Sequence, residues 1–209
     1  MSKKVILLIM DGWGLGKNPD VSAIHKSDTP FYDDLIDNYP SASLSASGVD
    51  VGLPGNSLIF DSNFENLKMD SLKIGIVHSE WNSNITDMLM SSCTNYFLEL
   101  GIKKNNLIAR SVPGSMELVY GSNHMFLNHK VDGVVALGCI IKGETDHDKY
   151  IAEAVCNGIL SVSLSHNKPI SFGVLTTNNI KQAIARSGGN KGDKGKESAY
   201  TLLKMLNII

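Results

Sequence analysis

Four apolar runs, each followed by a segment of helical character, constrain this chain more than any other feature. Leu72-Lys73-Ile74-Gly75-Ile76-Val77-His78, Asn106 to Val112, Gly133 to Ile141 and Pro169 to Leu175 read as strands. Helices are expected over about 85–100, 116–128, 148–164 and 178–187, with a last one running to about Leu206. Gly101 is a natural stop for the first of them, because glycine accepts the left-handed conformation that closes a helix. Strands that are unbroken apolar runs are buried on both faces, and their alternation with helices makes them parallel. The expected fold is therefore α/β, a three-layer sandwich with a parallel four-stranded sheet covered by helices on both faces.

A chain of 209 residues can bury one full core with some residues left over. Nineteen Lys and Arg against 21 Asp and Glu leave it near neutral, which argues against a general nucleic-acid or membrane-surface binder. The three cysteines, Cys93, Cys139 and Cys156, show no metal-binding or redox spacing and read as reduced core thiols of a cytoplasmic protein. The apolar run Val5–Met10 is too short to span a bilayer, and Asp11-Gly12-Trp13-Gly14 is a poor cleavage context, so it reads as a buried strand ending in a turn.

In a parallel sheet the ligand sits beyond the C-terminal ends of the strands. The residues gathered there are Ser79-Glu80-Trp81-Asn82, Val112-Pro113-Gly114-Ser115-Met116-Glu117, Ile140-Ile141-Lys142-Gly143-Glu144-Thr145 and Thr176-Thr177. They offer an aromatic plate, a carboxylate and small residues with accessible backbone. The third run is the richest: a strand turns through Gly143 into a helix, whose first N–H groups suit an anion. His147 stands in that first turn, where an imidazole meets whatever the N–H groups hold. Taken alone, His147 and Arg186 are solvated helix-end residues, while Trp81 and Phe172 are core aromatics.

Those segments, together with Ala136–His147, Phe172-Gly173-Val174-Leu175-Thr176-Thr177 and Arg186-Ser187-Gly188, resemble 6,7-dimethyl-8-ribityllumazine synthase from about residue 65 to the end. The resemblance implies a flavodoxin-like sheet, no metal or organic cofactor, and small-molecule substrates, a pyrimidine and a sugar phosphate. The reaction it implies is a step of riboflavin synthesis: 5-amino-6-(D-ribitylamino)uracil condenses with 3,4-dihydroxy-2-butanone 4-phosphate, releasing phosphate and water. It implies His147 as proton shuttle, Trp81 stacked on the pyrimidine, and Asn82, Ser115, Met116 and Glu117 on the ring and ribityl groups. The Ile140–Ile141 backbone would lie along the heterocycle. Gly143, Glu144, Thr145 and Arg186 would hold the phosphate, as would Lys194 if the turn 188–195 is aligned in that register. Phe172 would cover the ring from a neighbouring subunit of a homopentamer, which sometimes packs into a sixty-subunit shell. Asp148 and Lys149 follow His147 where the family has an aromatic residue and then aspartate, and Asp193 stands where asparagine is common. A lumazine- or flavin-binding shell protein without catalysis is the non-enzyme alternative.

The first 55 residues have a different character. Lys4 to Gly14, Thr29-Pro30, Ala46-Ser47-Gly48 and Val51-Gly52-Leu53-Pro54 resemble the extreme N-terminus of cofactor-independent phosphoglycerate mutase. There the residue matching Asp11 binds a metal, but the remaining ligands have no counterpart here, and one carboxylate makes no metal site. Thr29-Pro30 is a helix-start signal, with a short helix expected to about Asn38. The expected organisation is an inert fragment over 1–55, a linker over 56–71 without periodicity, and the lumazine synthase-like domain over 72–209.

Overall fold

The computed structural model describes Pro30, Asp34, Asn38, Phe60 and residues 64–208. The chain divides into two compact units, Met1–Gly55 and Asn56–Ile209. In the first, Pro30, Asp34 and Asn38 are helical, and the Asn38 amide donates to the Asp34 backbone carbonyl one turn back at 3.0 Å. The strand expected over 4–10, its turn at 11–14 and Asp11 lie outside the described residues.

The second unit runs β1 (Ile74–Ser79), α1 (Ser83–Glu99), β2 (Leu107–Val112), α2 (Leu118–His124), β3 (Gly133–Ile141), α3 (His147–His166), β4 (Ile170–Thr177), α4 (Ile180–Arg186), a short hairpin of β5 (Ser187–Gly189) and β6 (Gly192–Asp193), and α5 (Lys194–Ile208). The four long strands form one parallel sheet in the order β2-β1-β3-β4, the flavodoxin-like arrangement. The register sets Ile74 against Leu107 on one side and Gly133 on the other, with Val134 against Ile170.

Side chains alternate across this sheet and build two cores. Ile74, Ile76, Val135, Leu137, Cys139 and Leu175 face α1 and α5, where Ile85, Leu89, Cys93 and Phe97 recur every four residues to give α1 one apolar stripe. Val77, Val134, Ala136, Ile140 and Val174 face the other way, onto Leu118 of α2 and Val155 and Ile159 of α3. β3 is buried along its whole length except for Ile141, as a central strand covered on both faces must be. α1 ends at Gly101 (φ 90°), with Gly101 N–H on Leu98 O and Ile102 N–H on Phe97 O at 3.1 Å, a paired closure that satisfies two terminal carbonyls.

The structure corrects the sequence reading in four places. The helix expected over 116–128 is α only from Leu118 to His124, then widens into a π turn at Met125–His129 ending at Lys130 (φ 52°). The wider turn brings Met125 and Phe126 both onto the buried face, with Gly75 leaving room for Met125: a Cβ there would lie 3.1 Å from Met125 Cγ. In the stretch read as a linker over 56–71, the described residues, Phe60 and 64–71, include side chains that pack on the core. Phe64 is buried in the first core, and Phe60 packs edge-on against Tyr200 at 5.3 Å between ring centroids. Asn66 is further tied to Asn207 at the end of α5 by two hydrogen bonds of 3.1 and 3.2 Å. The glycine-rich turn at 188–195 holds the β5–β6 hairpin, in which Gly188 and Gly192 take φ near 109° and 106°. Finally, Cys156 is exposed on α3, so only Cys93 and Cys139 are core thiols.

Candidate active site

The strand order turns on itself between β1 and β3, because the chain leaves β1 toward one edge and returns to β3 on the other side. A crevice opens at such a point. Asn82, in the left-handed conformation just before α1 (φ 61°), donates its side-chain amide across this crevice to Cys139 O of β3 at 2.9 Å. Its backbone carbonyl accepts from Ile85 N–H at 2.8 Å and starts the helix. Thr86 Oγ1 donates back to Ser79 O at 2.7 Å, pinning the end of β1 to the first turn of α1.

β1 and β2 leave the sheet side by side, with Glu80 N–H on Val112 O at 2.8 Å and Trp81 N–H on Pro113 O at 3.1 Å. Trp81 is 73% exposed, the most open of the site aromatics and a plate with a free face. Beside it Ser115 is 8% exposed and sits against β3 because Gly138 has no side chain; a Cβ there would lie 2.9 Å from Ser115 Oγ. Met116 and Glu117 are exposed at the entry to α2, Ile140 is buried, and Ile141 is half-buried at the lip of β3.

The β3–α3 turn is open. Lys142 N–H is held by Thr177 O at 2.8 Å, whereas Gly143, Glu144 and Thr145 are exposed and donate no backbone hydrogen bond among the described residues. Asp146 starts α3 with its carbonyl and pairs with Lys149 at 2.9 Å. The His147 side chain is exposed at the first position of α3. Asp148 is half-buried and its Oδ1 has no hydrogen-bond partner among the described residues. Free N–H groups at the head of a long helix, beside an open imidazole, suit an anionic group whose departure requires proton transfer. Burial pushes the Cys139 thiol up to about 11, so it stays protonated and inert at neutral pH.

A family model for 6,7-dimethyl-8-ribityllumazine synthase matches residues 71–209. The chain belongs to that family. Its relatives include the 6,7-dimethyl-8-ribityllumazine synthases of Cytophaga hutchinsonii (47% identical over 138 residues, 66% of this chain and 87% of that one), Porphyromonas gingivalis (44% over 137 residues, 66% and 85%) and Campylobacter jejuni subsp. doylei (43% over 143 residues, 68% and 93%).

Not every expected site residue of this lumazine synthase family member gathers at the crevice within one chain. Trp81, Asn82, Ser115, Met116, Glu117, Ile140, Ile141, Gly143, Glu144, Thr145 and His147 all lie at the strand ends or in the turns that follow them. Phe172 does not. It faces Ala136 low on β4, five residues before Thr177, roughly 16 Å from the strand end at the usual rise of about 3.3 Å per residue. Arg186 closes α4, which packs on the sheet face of α1 and α5, whereas His147 heads the helix on the opposite face. Among the described residues the Arg186 guanidinium donates only to Gln182 O at 3.1 Å, and Lys194 is tied to Glu197. Sequence reasoning missed Glu197, although opposite charges three apart on a helix announce such a pair. It also missed Thr86, for which no pattern gave a signal.

Proposed function

We propose that this protein makes 6,7-dimethyl-8-ribityllumazine from 5-amino-6-(D-ribitylamino)uracil and 3,4-dihydroxy-2-butanone 4-phosphate in riboflavin biosynthesis. The observation that carries the reading is the crevice at the β1–β3 switch: an open indole plate on one bank and, on the other, a helix head with free N–H groups and an imidazole. Trp81 stacks on the pyrimidine, and Asn82, Ser115, Met116 and Glu117 meet its polar edge and ribityl chain. The phosphate rests on Gly143, Glu144 and Thr145. The substrate amine attacks the ketone to give an imine, phosphate leaves, and the ring closes. His147 shuttles protons through these steps, and positioning supplies most of the rest.

Phe172, Arg186 and Lys194 complete the site from a neighbouring subunit of a homopentameric ring, either free or packed in a sixty-subunit shell. Their distance from His147 within one chain supports this reading. A flat heterocycle at the open end of a sheet needs a lid, and a head-to-tail ring interface supplies one. Lys194 leaves Glu197 when it meets the phosphate. The protein works in the cytoplasm without metal or organic cofactor; among the described residues no helix is long and apolar enough to cross a membrane. Residues 1–55 are an inert fused remnant resembling the start of cofactor-independent phosphoglycerate mutase. Mixing the two substrates with the purified protein and following lumazine absorbance tests the reading. Steady product formation is expected, and tight lumazine binding with no turnover would replace it with the non-catalytic shell-protein alternative.

A further inference from the structure

Glu80, Trp81 and Asn82 join β1 to α1, and two of them meet the pyrimidine in the proposed reaction. Trp81 is 73% exposed, so neighbouring side chains do little to hold its ring, and its aim is set by the backbone that carries it. That backbone is not relaxed. Asn82 sits in the left-handed region at φ 61° and ψ 43°, a conformation that is costly for a residue with a side chain and persists where the surroundings impose it. What imposes it lies under the turn. Thr86 N–H donates to Asn82 O at 3.1 Å, while Thr86 Oγ1 donates to Ser79 O at 2.7 Å. One residue thereby grips the chain on both sides of Trp81.

The first of these bonds is the ordinary one of a helix, but the second is not. A helical threonine hydroxyl usually bonds a carbonyl one turn back in its own helix, whereas this one reaches seven residues back, to the strand. Ser79 and Thr86 are fully buried, so water cannot stand in for the hydroxyl if it is removed. Ser79 Oγ adds a longer contact to Trp81 O at 3.4 Å from the same buried side. On the outer side, Ser111 Oγ donates to the Glu80 carboxylate at 2.7 Å, but that bond is exposed and water competes with it. We propose that Thr86 is a positioning residue for the pyrimidine half of the site. Its hydroxyl holds the β1–α1 step in the one shape that presents the Trp81 ring and the Asn82 amide together. This role presupposes that the pyrimidine stacks on Trp81. The phosphate half does not depend on it, since the turn into α3 hangs from β3 and is held through Lys142 N–H by Thr177 O.

The chain has two tryptophans, so the full chain carrying Trp13→Phe reports on Trp81 alone. Its emission is titrated with 5-amino-6-(D-ribitylamino)uracil, and steady-state kinetics are measured for both substrates. Thr86→Val keeps the branched shape and removes the donor. It should weaken pyrimidine binding about fivefold or more, the worth of one neutral hydrogen bond. KM for the pyrimidine should rise in step, while kcat and KM for 3,4-dihydroxy-2-butanone 4-phosphate stay within about twofold. Thr86→Ser, which keeps the hydroxyl, should bind the pyrimidine nearly as the parent does, and Thr86→Cys, a weaker donor, should fall below it. That ordering decides the matter even if Thr86→Val does not fold. Ile159→Val lowers stability from the second core and should leave pyrimidine binding unchanged. Unchanged pyrimidine affinity in Thr86→Val, a rise in both KM values, Thr86→Ser no better than Thr86→Cys, or the same loss in Ile159→Val would each overturn the positioning role alone. A parent chain whose Trp81 emission ignores the pyrimidine would instead overturn the stacking itself, and the role of Thr86 with it.

Discussion

His147 heads α3 with its side chain in solvent, so a substitution there reaches the chemistry without disturbing either core. His147→Ala should lower turnover by about 10- to 10⁴-fold, the usual worth of a positioned acid–base group. The smaller loss is expected, because the substrate's own amine and phosphate also carry protons. Steady-state kinetics beside an unchanged unfolding curve would establish it. A second histidine reports on stability instead. His129 is held below its ordinary value of 6.5 by desolvation, then by Arg110, His124 and Lys73. A depressed imidazole takes its proton more readily in the unfolded chain, so its effect is absent well above 6.5. Stability is lost as pH falls through 6.5 toward the folded value. His129→Gln should therefore lose less stability than the wild type between pH 8 and 5.5 in paired urea titrations.

At the scale of elements, α1 and α5 approach closely at Gly195. A Cβ on Gly195 would come 2.2 Å from the Leu89 carbonyl oxygen, a backbone atom that cannot step aside. Gly195→Ala should cost about 3 kcal/mol or more, readable as a shifted denaturation midpoint. Nothing in the sequence announces this contact, because glycine there reads simply as part of a turn. The central strand β3 was legible for a definite reason: a strand buried on both faces must be apolar throughout, as Val134–Ile140 are, whereas the edge strand β2 carries Arg110 and Ser111 in the open. The π turn was not legible, since its wider winding answers to the fit of Met125 and Phe126 against the sheet rather than to any local preference. Phe60 and Phe64 were lost among Asn, Ser and Asp, because two aromatics that dock individually on Tyr96 and Tyr200 leave no period to find. Within the crevice, the residue types came from the motifs, while the layer each occupies came only from the topology, which sets His147 and Arg186 on helices of opposite faces.

For the whole molecule, that separation makes the shared site testable. Unfolding and co-refolding a His147→Ala chain with an Arg186→Ala chain should restore activity to roughly a quarter of the sites, since each interface draws one half from each neighbour. Mixed rings with no recovered activity would show that both groups act within one chain. Truncation separates the two units as well. Removal of residues 1–59 should leave lumazine formation unchanged. Removal through residue 71 should lower stability by about 3 kcal/mol or more, because it strips the buried Phe64 from the first core and takes Asn66 from Asn207. The parallel sheet carries one further consequence, for the order in which it forms. Within this four-stranded sheet no two neighbouring strands are joined by a turn: β1 meets β2, and β3 meets β4, only after a helix has been spanned. The central pairing of Ile74 with Gly133 must wait for a helix, a strand and another helix. Loop-closure entropy grows with the chain spanned, so this pairing is the slow event. Until it happens the two halves expose their inner strands to one another's copies. Refolding yield should accordingly fall with rising protein concentration, as half-formed sheets find partners in the wrong chain.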